Sequence, residues 1–145
     1  EVYSDLKPYN IGRQHRHVGE IEQELHTASP DSGPVIFSPH LIPVARGLLS
    51  TIYAPVTVDV RVVREVLETT YADEPFVHVL PEGQTARLKD VAGTSHAHIS
   101  LTPATAGMVV IVSAIDNLRK GASSQAIQNA NLLFDLPETT GLLEN

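Results

Sequence analysis

Residues 108–122 (Met-Val-Val-Ile-Val-Ser-Ala-Ile-Asp-Asn-Leu-Arg-Lys-Gly-Ala) decide the fold of this chain. Met108 to Val112 is a continuous apolar run, which predicts a strand buried on both faces. The chain then passes through Asp116 and Asn117 into a helix expected from about Ala122 to Phe134. The inner stripe of that helix is predicted to be Ala126, Ala130 and Leu133, with Gln125, Gln128 and Asn129 on its polar side.

Outward from this stretch, strands and helices are mixed without a regular βαβ rhythm. The remaining predicted helices are Gly19 to Leu25 and Val58 to Tyr71, and the remaining predicted strands are Val35 to Phe37, Leu48 to Tyr53, Phe76 to Leu80 and an alternating run from Thr94 to Thr102. In the alternating run, Ala97, Ile99 and Leu101 face one way and His96, His98 and Ser100 the other. The order predicts an α+β fold with a mixed, largely antiparallel sheet covered by helices.

Composition narrows the class of protein. The 145 residues are 42% hydrophobic and 19% charged, as in a globular domain. The formal charge of −7 argues against non-specific nucleic-acid binding, and no run of about 18 apolar residues predicts a membrane span. The chain holds no cysteine, signal peptide, initiating methionine or Gly-x-Gly-x-x-Gly fingerprint. We therefore expect this chain to be a fragment or an excised domain that holds no dinucleotide-binding fingerprint.

His15-Arg16-His17, with Glu20 three residues on, is the first candidate site. Two histidines at i and i+2 on an extended backbone point the same way and could bind a metal. A histidine near a carboxylate could equally be an oriented general acid or base, and a solvated polar turn is the third alternative.

Three further groups could carry chemistry. Prolines fix the backbone around His40 between Ser38 and Arg46, and an arginine can hold a carboxylate or phosphate. Gly121 lies where a helix is expected to begin. The free backbone N–H groups of that first helical turn, with Lys120 beside them, could attract an anion. The polar face bearing His96 and His98 lacks a third ligand nearby in sequence, so an exposed or interface face is favoured over a metal site.

These groups, in this order, resemble the N-acetyl-gamma-glutamyl-phosphate reductase family of arginine biosynthesis. The matching stretches are His15-Arg16-His17 with Glu20-Ile21, Ser38-Pro39-His40-Leu41 through Arg46-Gly47, Glu74-Pro75-Phe76-Val77, Ser113 to Leu118 with Lys120 to Ser123, Gln125-Ala126, Gln128-Asn129, and Glu138 to Leu142. The resemblance covers nearly the whole chain from Asn10 onward.

The resemblance implies that residues 1–145 form a single catalytic and oligomerisation domain of the glyceraldehyde-3-phosphate-dehydrogenase-like C-terminal class. A Rossmann domain that binds NADP, and the segment with the nucleophilic cysteine, are expected upstream. The family's chemistry is displacement of phosphate from an acyl phosphate by a thiolate, reduction by NADPH, and proton exchange with a histidine. The piece alone is expected to be inactive, and a cytoplasmic homodimer or homotetramer is expected for the whole enzyme.

The family motif places the catalytic histidine on His15. It implies the substrate-binding candidates His17, Glu20, Ser38, His40 and Arg46, the cofactor-facing candidates Asn117, Lys120, Gly121 and Gln125, and no metal.

Three alternatives stay open at this point. One is a reductase of carrier-protein-linked aminoadipyl phosphate in lysine biosynthesis, and another is an oligomerisation module that has lost catalysis. The third is a metal-dependent hydrolase built on His15 and His17 with His96 and His98.

Overall fold

The computed structural model describes residues 5–143. The chain divides into two compact units, residues 1–45 and residues 46–145. None of the helices within residues 5–143 has the length and hydrophobicity that a membrane crossing needs. The expectation that residues 1–145 act as one catalytic and oligomerisation domain stays a prediction.

The first unit holds one helix and a minimal strand pair. Helix α1 runs from His17 to Ala28, two residues earlier and three residues later than the predicted Gly19 to Leu25. Val18 is its buried residue, while Leu25 is 42% exposed. Strand β1 (Lys7–Pro8) pairs antiparallel with strand β2 (His40–Leu41).

The predicted strand at Val35 to Phe37 is wrong. These residues have no strand partner, and Ile36 is 93% exposed. The Val35 N–H donates instead to Glu22 Oε1 at 2.8 Å, so a side chain takes the place of a strand neighbour. Glu22 also accepts two hydrogen bonds from Arg13, at 2.6 and 2.9 Å. Arg13 and then the Val35 N–H lower the pKa of Glu22 to about 2.

The second unit is built on a four-stranded sheet. Its strands are β3 (Leu48–Pro55), β4 (Val77–Val79), β5 (Ala97–Pro103) and β6 (Met108–Ile115). The spatial order is β3-β6-β5-β4, with β4 and β5 parallel and the other pairs antiparallel. The mixed, largely antiparallel sheet of an α+β fold is therefore confirmed.

Strand β6 lies between β3 and β5, and its predicted burial on both faces is complete at two residues and partial at the other six. Val109 and Ala114 are buried, and no residue of the strand is exposed. Ala114 packs against Ala86 and Val91, which come from the segment between β4 and β5.

The segment between β4 and β5 buries part of a sheet face that the sequence predicted to be exposed. Ser100, placed on a polar face with His96 and His98, is 1% exposed, and its hydroxyl accepts a hydrogen bond from the Ala86 N–H at 3.1 Å. The expectation of an open polar face is wrong at Ser100 because residues 86–91 cover it. Alternation along one strand cannot show that a distant segment folds over it.

Helix α2 runs from Val60 to Thr70, with Asp59 as its N-cap accepting from the Arg61 N–H at 2.8 Å. Val60, Val63 and Leu67 are half-buried, as their spacing predicted. Arg64 departs from the predicted polar side, since its guanidinium reaches the Leu80 and Leu101 carbonyl oxygens at 3.1 and 3.2 Å. The aliphatic stem of Arg64 packs along the protein while its charged end satisfies these two carbonyl groups.

The last helix, α3, runs from Ser124 to Leu133 and follows a π-helical turn at Arg119–Ser123. The predicted inner stripe is wrong: Leu133 is 80% exposed, whereas Ser124, Gln128 and Asn131 are buried. The buried face is polar because its side chains are hydrogen-bonded. Asn131 Nδ2 donates to the Glu138 and Thr140 carbonyl oxygens at 3.0 Å each, and the Ser95 and Ser124 hydroxyls are hydrogen-bonded to each other at 3.0 Å.

Candidate active site

His15 lies in an aromatic cluster just before α1. Its ring centroid is 5.5 Å from that of Tyr9, 5.2 Å from that of Phe37 and 4.6 Å from that of His17, each contact edge-on. Edge-on packing on three sides restricts the orientation of the half-buried imidazole.

The proton of the His15 ring is assigned by its neighbour. The His17 backbone N–H donates to His15 Nδ1 at 3.2 Å, so Nδ1 acts as an acceptor. In the neutral ring the proton then lies on Nε2, which becomes a hydrogen-bond donor. The expected extended backbone is wrong here, because His17 is already the first residue of α1. Glu20 is exposed in the first turn of that helix.

In His40 the proton lies on the other ring nitrogen from that of His15. The Nδ1 of His40 lies 2.9 Å from the Ser38 carbonyl oxygen, which can only accept, so Nδ1 carries the proton. Nε2 of His40 is left with its lone pair, and the ring is exposed on β2. Ser38 contributes its carbonyl to this contact, and its side chain is exposed.

In the second unit, the loop after β6 is organised by Asp116. The residue is 0% exposed. Oδ1 accepts from the Leu118 and Arg119 N–H groups at 2.8 and 3.1 Å, and Oδ2 accepts from the Gly93 N–H at 2.7 Å and from Arg46 Nη1 at 3.3 Å. Burial raises the pKa of this carboxyl, but the three backbone donors and Arg46 outweigh burial and keep its pKa below the ordinary value.

Arg46 is therefore held at one end by a buried carboxylate. Its side chain is 43% exposed, and a guanidinium has five N–H donors. One contact to Asp116 leaves the remaining donors able to bind a carboxylate or phosphate.

Gly47 is fixed beside Arg46 by two constraints. Its N–H donates to Asn117 Oδ1 at 2.6 Å, and its φ is +122°. A Cβ at this position would lie 2.7 Å from Leu88 Cδ2. Only glycine fits both the backbone conformation and the space.

We expect Gly47→Ala to lower the free energy of unfolding by roughly 1–3 kcal/mol, from backbone strain together with the Leu88 contact. Urea unfolding of the full-length protein measures the loss. Gly83→Ala is the matched control, since Gly83 also has a positive φ, of +83°, but nothing lies within 4 Å of its Cβ position. Equal losses in the two variants would mean that Leu88 contributes nothing, and Leu88→Ala should recover part of the loss only in the Gly47→Ala background.

Lys120 lies in the π-helical turn and is half-buried. Its Nζ donates to Gln128 Oε1 at 2.6 Å and lies 5.6 Å from the centroid of the Phe76 ring. Burial lowers the pKa of Lys120, while the carboxylates of Glu138 and Glu74 act in the opposite direction.

Gly121 is not at a helix start with open N–H groups, as the sequence suggested. It lies inside the π-helical turn, and its N–H donates to the Asp116 carbonyl oxygen at 2.9 Å. The donors of the turn at Leu118 and Arg119 are taken by the Asp116 side chain. Any anion at this turn would therefore depend on side chains, since these N–H groups already have partners. Gln125, in the first turn of α3, donates to Asn129 Oδ1 at 3.3 Å.

A histidine group at the β4–β5 edge includes a residue that the sequence did not single out. His78 Nε2 lies 2.9 Å from His96 Nδ1, and the rings of His78 and His98 are 5.6 Å apart. Burial and then His78 lower the pKa of His98, while Asp90 raises it. Within residues 5–143, no group of three or more histidine, cysteine or carboxylate side chains is arranged to hold a metal ion.

Some partners of the candidate residues in each unit could not be recognised from the sequence. Tyr9 and Phe37 meet His15 from six and 22 positions away, and Glu138 meets Gln128 at 2.5 Å across the turn that follows α3. Neither contact follows from a periodic pattern, because both depend on how loops fold back. Asp116 could have been singled out, since an acid directly after a buried strand needs partners.

The sequence comparison decides the family. The model of the family described as semialdehyde dehydrogenase, dimerisation domain, matches residues 1–117. The chain belongs to this family. The predicted resemblance is also confirmed: a protein named N-acetyl-gamma-glutamyl-phosphate reductase from Pelotomaculum thermopropionicum is 50% identical over 98% of the chain. A probable chloroplastic enzyme of that name from Arabidopsis thaliana is 45% identical over 99% of it.

The chain spans 42% of the length of the Pelotomaculum protein and 36% of that of the Arabidopsis protein. Among solved structures, aspartate semialdehyde dehydrogenase II from Vibrio cholerae, in complex with ASA, matches with a TM-score of 0.69 and 18% identity. The match covers 90% of this chain and 41% of that one, so the chain shares the fold of part of that dehydrogenase. The expected fold class is confirmed.

Proposed function

We propose that this chain is part of an NADPH-dependent acyl-phosphate reductase that converts N-acetylglutamyl 5-phosphate to N-acetylglutamate 5-semialdehyde and phosphate in arginine biosynthesis. The observation that carries the proposal is the 50% identity, over 98% of the chain, to the Pelotomaculum protein with the matching name. No residue pattern here favours the carrier-linked aminoadipyl substrate over this one.

In this proposal His15 is the proton donor and acceptor. Its Nδ1 is occupied by the His17 N–H, so Nε2–H is the atom that can donate to the oxygen of a sulfur-bound acyl group as that oxygen gains charge. The three ring contacts hold the imidazole in one orientation, which reduces the entropy lost in reaching a reactive geometry. The sulfur is expected from a cysteine in the remainder of the enzyme, since this chain has none.

The substrate-binding roles are assigned by chemistry. His17, Glu20, Ser38 and His40 offer polar groups in the first unit, and the lone pair at His40 Nε2 suits a substrate N–H or O–H donor. Arg46 suits an anionic group, because Asp116 fixes one end of a guanidinium whose other donors remain exposed.

We expect Arg46→Ala, in the full-length enzyme, to raise KM for the acyl phosphate by roughly tenfold or more, which corresponds to a lost charge-assisted hydrogen bond. The KM for NADPH should change little. Steady-state kinetics with each substrate varied in turn measure both, and Arg61→Ala removes an exposed guanidinium as the control. An unchanged KM for the acyl phosphate would remove Arg46 from the substrate-binding residues.

The cofactor-facing residues in the proposal are Asn117, Lys120, Gly121 and Gln125. NADPH, when bound, supplies the hydride for the reduction. The side chains present fit a polyanionic cofactor in one respect: Lys120 is a half-buried cation, and its hydrogen bond to Gln128 uses one of the three N–H donors of an ammonium group. NADP would be held mainly by the upstream domain.

Two groups of exposed apolar residues suit contacts with the upstream domain and with a second subunit. Leu132, Leu133 and Phe134 are 55%, 80% and 75% exposed at the end of α3, which suits packing against the upstream domain. Strand β3 is an edge strand with Leu48, Leu49, Ile52 and Tyr53 exposed, which suits a contact between subunits of a homodimer or homotetramer. We place the enzyme in the cytoplasm, as the family resemblance implies.

The deciding experiment uses the full-length protein with N-acetylglutamyl 5-phosphate and follows NADPH oxidation by absorbance. We expect turnover with this substrate and not with a carrier-linked aminoadipyl phosphate. Preference for the carrier-linked substrate would transfer the chain to the lysine pathway. Absence of turnover with either, in a folded protein, would favour the non-catalytic oligomerisation module.

A further inference from the structure

Lys120 is the end of a chain of three side chains that the proposed reaction does not explain. Its Nζ donates to Gln128 Oε1 at 2.6 Å, and Gln128 Nε2 donates to Glu138 Oε1 at 2.5 Å. An ammonium group can only donate and a carboxylate can only accept, so the Gln128 amide has a single allowed orientation. The cation and the anion are thereby linked through a neutral amide.

The middle of this chain is shielded from water. Gln128 is 8% exposed, and Lys120 is half-buried against the Phe76 ring. Hydrogen bonds in such surroundings restrain a side chain more firmly than the same bonds in water. Lysine otherwise carries a flexible four-carbon stem, so a free ammonium at this point would be poorly placed.

The carboxylate end is anchored independently. Asn131 Nδ2 holds the Glu138 and Thr140 carbonyl oxygens at 3.0 Å, and Ser95 Oγ holds the Leu142 carbonyl oxygen at 3.2 Å. The segment after α3 is thus tied to the helix and to Ser95, two residues before β5. Glu138 therefore provides a rigid end for the chain of side chains.

The conformation of the turn that carries Lys120 is typical of functional sites. Arg119–Ser123 is π-helical, and such single turns occur frequently at functional sites. The charged groups facing Lys120 are Glu138 from the tail and Glu74 from the segment before β4. His96 lies beyond Phe76, with ring centroids 5.6 Å apart, and Arg119 precedes Lys120 in the chain.

We propose that Gln128 and Glu138 are positioning residues that hold the Lys120 ammonium toward a phosphate group of the cofactor. The inference rests on the proposed function, which makes Lys120 cofactor-facing. Neither residue needs to touch the cofactor, since both act through Lys120.

The main test is the dissociation constant for NADPH of the full-length enzyme, measured by calorimetry across pH. Glu138→Gln keeps an acceptor oxygen for Gln128 but removes the charge. We expect roughly 3- to 10-fold weaker NADPH binding, in the range of a weakened charge-assisted hydrogen bond. The carboxylate raises the pKa of Lys120. Its removal should therefore move the alkaline loss of NADPH affinity to lower pH, an effect that a purely structural role would not produce.

A double-mutant cycle identifies the route of the effect. Lys120→Met alone should weaken NADPH binding by roughly tenfold or more. In that background Glu138→Gln and Gln128→Leu should have no further effect, because their target is gone. Additive losses would overturn the proposal. Glu82→Gln, which removes an exposed carboxylate from a loop, is the matched control and should leave binding unchanged.

Binding of inorganic phosphate shows whether Lys120 holds a phosphate of the substrate or one of the cofactor. If Glu138→Gln weakens phosphate binding and leaves NADPH binding unchanged, Lys120 serves the substrate and the cofactor assignment is overturned. If wild-type full-length protein binds no NADPH, the proposed function itself fails. If it binds NADPH and Glu138→Gln changes neither affinity nor its pH dependence, only the positioning role fails.

Discussion

Replacing His15 with alanine in the full-length enzyme should lower kcat by roughly 10²- to 10⁴-fold, the usual scale for loss of a general acid–base. The reason is local: His15 Nε2 is the ring nitrogen left to donate, since Nδ1 accepts the His17 N–H. Substrate KM should change much less than kcat, because proton transfer matters in the transition state. Steady-state kinetics of the purified variant measure the effect.

Two further variants separate chemistry from packing. His15→Phe keeps an aromatic ring against Tyr9 and Phe37 but has no nitrogen, so it should be as inactive as His15→Ala while unfolding at a urea concentration close to that of the wild type. His26→Ala removes an exposed imidazole from α1 and should keep nearly full activity. A loss in folded His15→Ala smaller than tenfold would reject the catalytic assignment.

Replacing Asp116 with alanine should destabilise the protein by more than about 3 kcal/mol, because three backbone N–H groups and Arg46 lose their shared acceptor. Urea unfolding of the full-length protein, followed by circular dichroism, measures the loss. Asp116→Asn retains an acceptor oxygen and should lose less. Asp90→Ala, which breaks an exposed ion pair with Arg87, is the control and should cost little.

The loss at Asp116 should depend on pH. The folded-state pKa of this carboxyl lies below its ordinary value, so its contribution is present above the unfolded pKa and is lost as pH falls through the folded value. The difference in stability between wild type and Asp116→Ala should shrink as the pH is lowered from about 5 toward 3. A difference that is constant over this range would contradict the ionised state assigned to Asp116.

Two segments were predictable from local sequence. Strand β3 appears close to its expected place because of its β-branched content, and helix α2 does so because Val60, Val63 and Leu67 form a half-buried stripe at helical spacing. The β6 run was predictable for another reason, since an unbroken apolar stretch between turns has to be covered on both sides.

The predictions were wrong where side-chain hydrogen bonds took the place of a neighbouring strand or of apolar packing. Val35 to Phe37 has strand-like residues, yet Glu22 takes the Val35 N–H. Helix α3 buries Ser124, Gln128 and Asn131 because each finds hydrogen-bond partners in other segments, while Leu133 lies outside. Hydrophobicity alone assigns such a helix to the wrong face.

The candidate site divides in the same way. His15, Arg46 and Lys120 were singled out by residue type and family motif, but their partners Phe37, Asp116 and Glu138 were not. His78 joins His96 and His98 only because β4 and β5 lie side by side in parallel. Pairing between distant strands depends on long-range packing that no local pattern records.

By itself the sequence determined the α+β class, the central apolar strand and the residues able to donate, accept or carry charge, since these follow from residue type and local period. Only the tertiary structure decided which nitrogen of His15 can donate, which carboxylate holds Arg46, and which face of α3 is buried. Those three outcomes depend on hydrogen bonds between groups far apart in the chain, and their direction and partners exist only once the chain has folded.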